Sequence, residues 1–250
     1  MKPAVLQPYR FATPLLEGVI LGRPNRFIMD VEANGEVFRA HCPVVTRIGD
    51  IDTAGRPCLF SASDNPRRKF AHTVEALSFD EPEKPSKRWV GLNQTASNRY
   101  VEHFLRTGAF GQLAPHPESV RREVKVGSSR LDFLIDENLY LEVKTPLRQL
   151  ECEVPASVAR LPQPKFSSTD RALRHLEELA RSMDTHERAI ILYCMYYQNH
   201  GFHFYHGTTY DEVVAGVAAA RAAGVELWQA TLEQDAHEVR LVDYAPMEGL

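Results

Sequence analysis

The chain has little of several features that would place it in a specialised class of protein. Its 250 residues include only four cysteines. These show neither CxxC spacing nor a Cys/His zinc pattern, so we expect reduced thiols rather than disulfides or metal ligands. No apolar run approaches the ~18 residues that a membrane span needs, and the first ten residues lack the apolar core of a signal peptide. We therefore expect a cytoplasmic protein with no membrane partner.

Positive charge is also scarce, because Lys and Arg total 29 against 33 Asp and Glu, giving a formal net charge of −4. Domains that bind nucleic acid tightly are usually basic, so this balance argues against a general nucleic-acid binder. No glycine-rich loop of the kind that cradles a phosphate is present. An enzyme that acts on nucleic acid needs only a short positively charged track, so the charge balance does not exclude such an enzyme.

The first third of the chain predicts a small barrel of short strands. Apolar or alternating segments are separated by turn formers, among them Asn34-Gly35, a dipeptide typical of two-residue hairpins. An OB-like barrel, which is compatible with oligonucleotide binding, fits this spacing, although periodicity alone does not separate it from other small barrels. The charged stretch from Phe79 to Arg88 contains two prolines. We take it as the boundary between domains at residues 1–84 and 85–250.

The rest of the chain alternates between predicted helices and strands. Apolar stripes and stop signals predict helices over 97–107, 170–183 and 210–223. Apolar runs beginning at Arg188 and Val225 predict strands, and the alternating segment at 201–206 predicts another. Strands that alternate with helices indicate an α/β sheet with helices on its faces.

The most informative segment is LDFLIDENLYLEVK, residues 131–144. Two strands rich in Leu, Ile, Val, Phe and Tyr flank three turn formers, so the pattern predicts a β-hairpin. With a three-residue loop and Asn138 in the left-handed conformation, Asp132 lies directly opposite Glu142. Lys144 is two residues further on and therefore lies on the same face.

The predicted pairing of two acids requires a compensating charge, since opposed carboxylates on neighbouring strands have Cβ atoms only ~5 Å apart. A divalent cation can supply that charge, because both carboxylates and the Val143 carbonyl offer the hard oxygen ligands that it prefers. Lys144 would then orient an attacking water or neutralise charge growing on a phosphate. The alternative is that Asp132, Glu142 and Lys144 only form the solvated face of an amphipathic hairpin, and a motif this short does not exclude it.

Several segments together resemble a known family. REVKVGSSRLDFLI followed by YLEVK, SDNPRRK at 63–69, GLNQTASNRYVE at 91–102 and TDRALRHL at 169–176 occur in the order found in the sugar fermentation stimulation protein A family of bacteria and archaea. The resemblance implies a two-domain protein of mixed α+β and α/β class. An N-terminal OB-like β-barrel would precede a C-terminal mixed-sheet α/β domain like that of PD-(D/E)XK nucleases.

The resemblance also implies a function, metal-dependent cleavage of DNA and/or RNA, and we expect Mg²⁺ or Mn²⁺ as the cofactor. The family's older interpretation, a non-enzymatic DNA-binding regulator of sugar metabolism genes, is the alternative. Direct action on a sugar or its phosphate has only the family's name in support.

The expected site residues come from the hairpin and from the segments that resemble the family. Asp132, Glu142 and Lys144 are the expected catalytic residues, and Asp132, Glu142 and Val143 are the expected metal ligands. Glu102, on the helix before the hairpin, is a candidate outer ligand, with an exposed helix glutamate as the alternative. The expected nucleic-acid contacts are nine basic residues: Arg67, Arg68, Lys69, Arg121, Arg122, Arg130, Arg171, Arg174 and His175. A solvated charged face is the alternative for each cluster.

Overall fold

A computed structural model describes residues 7–127, 129–162 and 169–247. Within these ranges the chain forms thirteen strands and three helices, and the strands make two sheets. In chain order the elements are β1 (Tyr9–Arg10), β2 (Leu16–Asn25), β3 (Ile28–Ala33), β4 (Glu36–His41), β5 (Pro57–Ala62), β6 (His72–Ser78), β7 (Trp89–Gly91), α1 (Ser97–Arg106), β8 (Val120–Val126), β9 (Ser129–Ile135), β10 (Leu139–Lys144), α2 (Asp170–Ser182), β11 (Arg188–Met195), α3 (Tyr210–Ala222), β12 (Glu226–Gln234) and β13 (Glu238–Pro246).

The first sheet closes into a five-stranded barrel. Its strand order is β4-β3-β2-β5-β6-β7, and β4 also pairs in parallel with β6, beginning at Ala40 opposite His72. This extra pairing joins the two ends of the run from β4 to β6 and leaves β7 as an appended strand. At the β3–β4 hairpin, Asn34 and Gly35 both have positive φ, 55° and 81°, as a type I′ turn requires. The predicted OB-like barrel is confirmed.

The barrel core follows from the alternation of apolar residues along its strands. In β3, Met29, Val31 and Ala33 are buried, while the residues between them are half-exposed. The same buried cluster includes Met195 and Tyr197 from the end of β11 and the residues after it. The barrel and the second sheet therefore share apolar contacts.

The second sheet is mixed, with strand order β1-β13-β12-β11-β10-β9-β8. Its central strands β10, β11 and β12 are parallel, and the outer pairings are antiparallel. Helix α1 covers one face, where Phe104 packs with Leu141 and Leu192. Helices α2 and α3 cover the other face. Because β11 is covered on both faces, its sequence is a continuous apolar run rather than an alternating one. The predicted mixed-sheet α/β domain is confirmed.

Two details differ from the predicted organisation or qualify it. No strand is formed at 201–206, where Phe202 stacks on Tyr193 at 4.0 Å between ring centroids while the histidines are exposed. That alternation reflects aromatic packing without a backbone ladder. The division predicted at residues 84 and 85 stays a prediction, and sheet membership crosses it, since β7 joins the barrel sheet and β1 joins the second sheet.

Two further findings concern the cysteines and the length of the helices. All four cysteines are unpaired, and three of them are buried. In the described part of the chain, no helix is long and apolar enough to cross a membrane.

The junction between the sheets leaves no room for a side chain at Gly91, whose N–H donates to the Tyr196 carbonyl at 2.8 Å. An added Cβ would lie 2.5 Å from the Cβ of Tyr196, an atom fixed to the backbone. We expect Gly91→Ala to lower the free energy of unfolding by about 1–3 kcal/mol, measured by urea denaturation. Gly22→Ala is the matched control, because a Cβ there meets no heavy atom within 4 Å. Equal effects at Gly91 and Gly22 would contradict a tightly packed junction.

Candidate active site

Strands β9 and β10 form the predicted hairpin, but its turn has a different backbone. The left-handed residues are Asp136 and Glu137, with φ of 47° and 60°, and not Asn138, so that prediction is wrong. The reason is a contact outside the hairpin. Asp136 donates its N–H to the Ser119 carbonyl at 3.1 Å and accepts the Ser119 N–H on its side chain at 2.7 Å. Aspartate tolerates this conformation better than most residues. The loop keeps its predicted three residues.

Backbone pairing within the hairpin ends at Phe133 opposite Leu141, one step before the two acids. Extending that register by one residue places Asp132 opposite Glu142, as predicted. Side chains replace the backbone ladder there. The Val143 N–H donates to the Asp132 carboxylate at 2.8 Å, and the Asp132 N–H donates to the Glu142 carboxylate at 3.3 Å. Each acid is thus held by the backbone of the opposite strand.

Glu142 is buried, with 3% of its surface exposed, and its charge is balanced. Its Oε1 accepts a hydrogen bond from Lys144 Nζ at 2.6 Å and contacts His175 Nδ1. Burial acts to raise the pKa of Glu142, but the His175 hydrogen bond and the Lys144 charge outweigh it and lower that pKa. Glu142 is therefore ionised at neutral pH.

Asp132 has no cationic hydrogen-bond partner among the described residues. Its carboxylate accepts from the Asn98 side-chain amide at 2.6 Å and from the Val143 N–H, and both donors are neutral. Burial and then the Glu142 charge raise the pKa of Asp132, and the two hydrogen bonds with the Lys144 charge offset them only in part. The ionised form of Asp132 is therefore less favoured here than in water.

The donor set suits a hard divalent cation. Asp132, Glu142 and the Val143 carbonyl offer oxygen ligands of the kind that such cations prefer, and water can complete the coordination. Among the described residues, no three His, Cys, Asp and Glu side chains form a group that could hold a metal ion. Any cation here would therefore depend on these few protein oxygens.

Helix α1 reaches the acid pair through Asn98, a residue that the sequence did not single out. The carboxylate of Glu102, one turn later, instead pairs with Arg106 at 2.9 Å and with Arg122 at 3.5 Å. No hydrogen bond or ion pair within the described ranges joins Glu102 to Asp132 or Glu142. The role of Glu102 as an outer ligand stays a prediction that these contacts do not support.

Helix α2 brings one of its three predicted residues into the site. His175 is buried against Glu142, so its position does not support the expected contact with nucleic acid, whereas Arg171 and Arg174 are exposed. Arg171 precedes His175 by four residues and so lies on the same face of the helix. Neither arginine forms an ion pair with a residue in the described ranges, so both are open to an external anion.

The other predicted basic residues lie on the surface around the site and the barrel. Three of them pair with acids, Arg121 with Glu137 at 2.9 Å, Arg122 with Glu102 at 3.5 Å and Arg130 with Glu123 at 3.7 Å. Exposed pairs of this kind contribute only about 0–1 kcal/mol, so a phosphate can displace the acid. In the loop after β5, Arg67, Arg68 and Lys69 are exposed. Their roles in nucleic-acid binding stay predictions.

Family models match both parts of the chain. A model of the SfsA N-terminal OB domain matches residues 21–92, and a model of the sugar fermentation stimulation protein RE domain matches residues 95–238. The chain belongs to the sugar fermentation stimulation protein family. The two matches meet between residues 92 and 95, just after β7, which agrees with the place of β7 in the barrel sheet.

Relatives within the family cover most of the chain. A sugar fermentation stimulation protein homolog from Synechocystis sp. is 34% identical over 89% of this chain and 90% of the relative. One from Shewanella halifaxensis is 31% identical over 95% of this chain and 98% of the relative. A solved structure of Pyrococcus furiosus SfsA in complex with Ca²⁺ matches with a TM-score of 0.74, at 22% identity, over 97% of this chain and 99% of that one. This last similarity shows the shared fold.

The contact between His175 and Glu142 should contribute measurably to the free energy of unfolding. We expect His175→Ala to lower the free energy of unfolding by about 2 kcal/mol or more, since a buried carboxylate loses a partner. His175→Asn should recover part of this loss through its amide. Arg174→Ala, at the exposed neighbouring position, is the control and should change stability by less than about 0.5 kcal/mol.

The destabilisation caused by His175→Ala should depend on pH. The pKa of Glu142 is lowered from 4.5, so its contribution to stability is present above pH 4.5 and is lost as pH falls through the lowered value. The difference between wild type and His175→Ala should therefore narrow below pH 4.5. A destabilisation by His175→Ala no larger than that of Arg174→Ala would contradict the contact.

Proposed function

We propose that this member of the family is a metal-dependent nuclease that hydrolyses phosphodiester bonds of DNA and/or RNA. One observation carries the proposal. Two carboxylates face each other where the β9–β10 ladder ends, and only Glu142 has a cationic partner. Burial and then the Glu142 charge raise the pKa of Asp132, and the Lys144 charge offsets them only in part. A divalent cation is the natural complement of such a site.

The proposed ligands are Asp132, Glu142 and the Val143 carbonyl, and the proposed cations are Mg²⁺ or Mn²⁺. The structurally similar Pyrococcus furiosus protein was solved in complex with Ca²⁺, another cation that prefers oxygen ligands, and this supports a divalent cation here. When bound, such a cation lowers the pKa of a water molecule and neutralises charge on the phosphate.

Lys144 is the proposed partner of the attacking water. Its side chain is 28% exposed, so the ammonium group contacts Glu142 and still reaches solvent. From there it can hold a water molecule or neutralise charge on the reacting phosphate. His175 lies behind Glu142 and acts as a positioning residue, since its contact holds the carboxylate in place.

Arg171 is the proposed contact for a phosphate next to the site. It lies one helical turn before His175 on the same face of α2 and is exposed. An arginine at this position can bind a phosphate through two parallel hydrogen bonds.

The OB barrel favours a second candidate function, a non-enzymatic DNA-binding regulator. OB barrels bind oligonucleotides in many proteins, and the exposed basic loop at 67–69 lies on this one. Sequence-selective binding that needs no metal, by a protein that cleaves nothing, would favour this candidate.

We expect Asp132→Asn to reduce cleavage by about 10²-fold or more, the scale for removing one transition-state contact, while the fold is retained. Labelled single-stranded DNA, duplex DNA and RNA would each be incubated with EDTA, Mg²⁺ or Mn²⁺. Lys144→Ala should also lose cleavage. Glu36→Gln, an exposed acid on the β3–β4 hairpin, is the matched control and should cleave like wild type. Undiminished hydrolysis by Asp132→Asn, in a preparation free of other nucleases, would overturn the proposal.

A further inference from the structure

We propose that a cleft between the barrel and helix α1 binds a nucleotide-sized segment of single-stranded nucleic acid. The cleft has a volume of about 570 Å³ and is formed by both halves of the molecule. The barrel contributes His41 and Glu75, β1 contributes Tyr9, α1 contributes Arg99 and β8 contributes Arg122. The inference rests on the proposed function in one respect, since the bound strand would be the substrate.

Positive charge is concentrated in this cleft although the protein as a whole is acidic. Arg68, Arg99 and Arg122 line it from three different elements and are exposed. Arg68 and Arg99 form no ion pair with any residue in the described ranges, and Arg122 has only its 3.5 Å contact with Glu102. His41 also lines the cleft, and burial and then the Arg68 charge lower the pKa of His41. The cleft therefore favours an anion.

Glu75 is the one acid among the residues that line the cleft, and it is already satisfied. Its carboxylate accepts hydrogen bonds from Ser61 at 2.6 Å and from Asn93 at 2.7 Å, and 5% of its surface is exposed. Three arginines and one buried acid leave a net positive charge on the walls.

The shape and the other side chains of the cleft indicate a nucleotide rather than a small inorganic anion. Its volume is within the range of about 300–1,000 Å³ found for ligand pockets. Tyr9 and Phe11 line the cleft with aromatic rings that are half-buried against Tyr100, and Arg99 lies 5.6 Å from the centre of the Tyr9 ring. Aromatic and guanidinium planes stack on unpaired bases, whereas arginine forks bind phosphate. A base must be unpaired to stack in this way, so the ligand is a single strand.

Helix α1 connects the cleft to the acid pair. Ala96 and Arg99 line the cleft, while Asn98 between them binds Asp132 at 2.6 Å. Just before the helix, the Gln94 side chain donates to the carbonyl of Thr145, the residue after Lys144, at 2.7 Å. Helix α1 and the residues just before it therefore contact both the cleft and the hairpin of the acid pair.

The test is binding of a fluorescein-labelled oligothymidylate of about ten nucleotides, measured by fluorescence anisotropy in EDTA so that cleavage plays no part. We expect Arg68→Ala to weaken binding about tenfold. It should also reduce the slope of log K against log salt concentration by about 0.7, the value for one phosphate contact on a single strand. A duplex of the same length should bind more weakly than the single strand.

Two variants make the result specific. Arg68→Lys keeps the charge and should retain the salt slope. This variant separates the loss of charge from a folding defect caused by losing the Arg68–Thr73 hydrogen bond of 2.6 Å. Arg181→Ala removes an exposed arginine on the last turn of α2, outside the cleft, and should bind like wild type.

The outcomes separate this inference from the proposed nuclease activity. If wild type binds the single strand through Arg68 but cleaves no substrate, the proposed binding cleft stands and the nuclease proposal is overturned. If wild type cleaves, and Arg68→Ala binds with the same affinity and the same salt slope as wild type, the nuclease proposal stands and the proposed binding cleft is overturned. Absence of oligothymidylate binding by wild type would also overturn the cleft.

Discussion

The buried charge on Glu142 is the constraint on which the candidate site depends. A carboxylate taken out of water is destabilising by several kcal/mol unless partners surround it, and here Lys144 comes from its own strand while His175 comes from α2. Leu176 and Leu179 of α2 pack against the sheet in the buried cluster, and Glu178 and Ser182 are further buried polar residues of this helix. Apolar packing permits small shifts along a helix, whereas a polar contact such as that of His175 requires one position. The same contact therefore balances the charge and helps to set the position of α2.

The second acid explains why the hairpin opens at this point. Between Phe133 and Leu141 the strands exchange ordinary backbone hydrogen bonds, but one residue further the carboxylates of Asp132 and Glu142 accept the backbone N–H groups instead. Asn98 completes the arrangement from α1 on the other side. Three elements, β9, β10 and α1, thus converge on a carboxyl group whose pKa is raised and whose hydrogen-bond donors are neutral, and such a perturbed group is a candidate functional residue.

The sequence predicted the parts of this arrangement that local pattern encodes. The apolar alternation and the loop length set the hairpin register, and the order of the matched segments predicted the family and the barrel. Asn98 could not be predicted, because its contact with Asp132 spans 34 residues and no periodicity tells which side chain of α1 faces the hairpin. The left-handed turn residues depend on Ser119, which is 17 residues away from Asp136 in sequence. The pairing of Glu102 with Arg122 is likewise a tertiary contact.

The most direct test of a cation site at the acid pair is anomalous X-ray diffraction from crystals grown with Mn²⁺. A cation site here predicts an anomalous peak within coordination distance of both Asp132 and Glu142, with Lys144 shifted from its present contact at 2.6 Å. A map without a peak at the acid pair, with Lys144 and His175 still on Glu142, would contradict it. In that case the raised pKa of Asp132 would reflect only its burial and the neighbouring Glu142 charge, and the hairpin would be a structural feature of the fold.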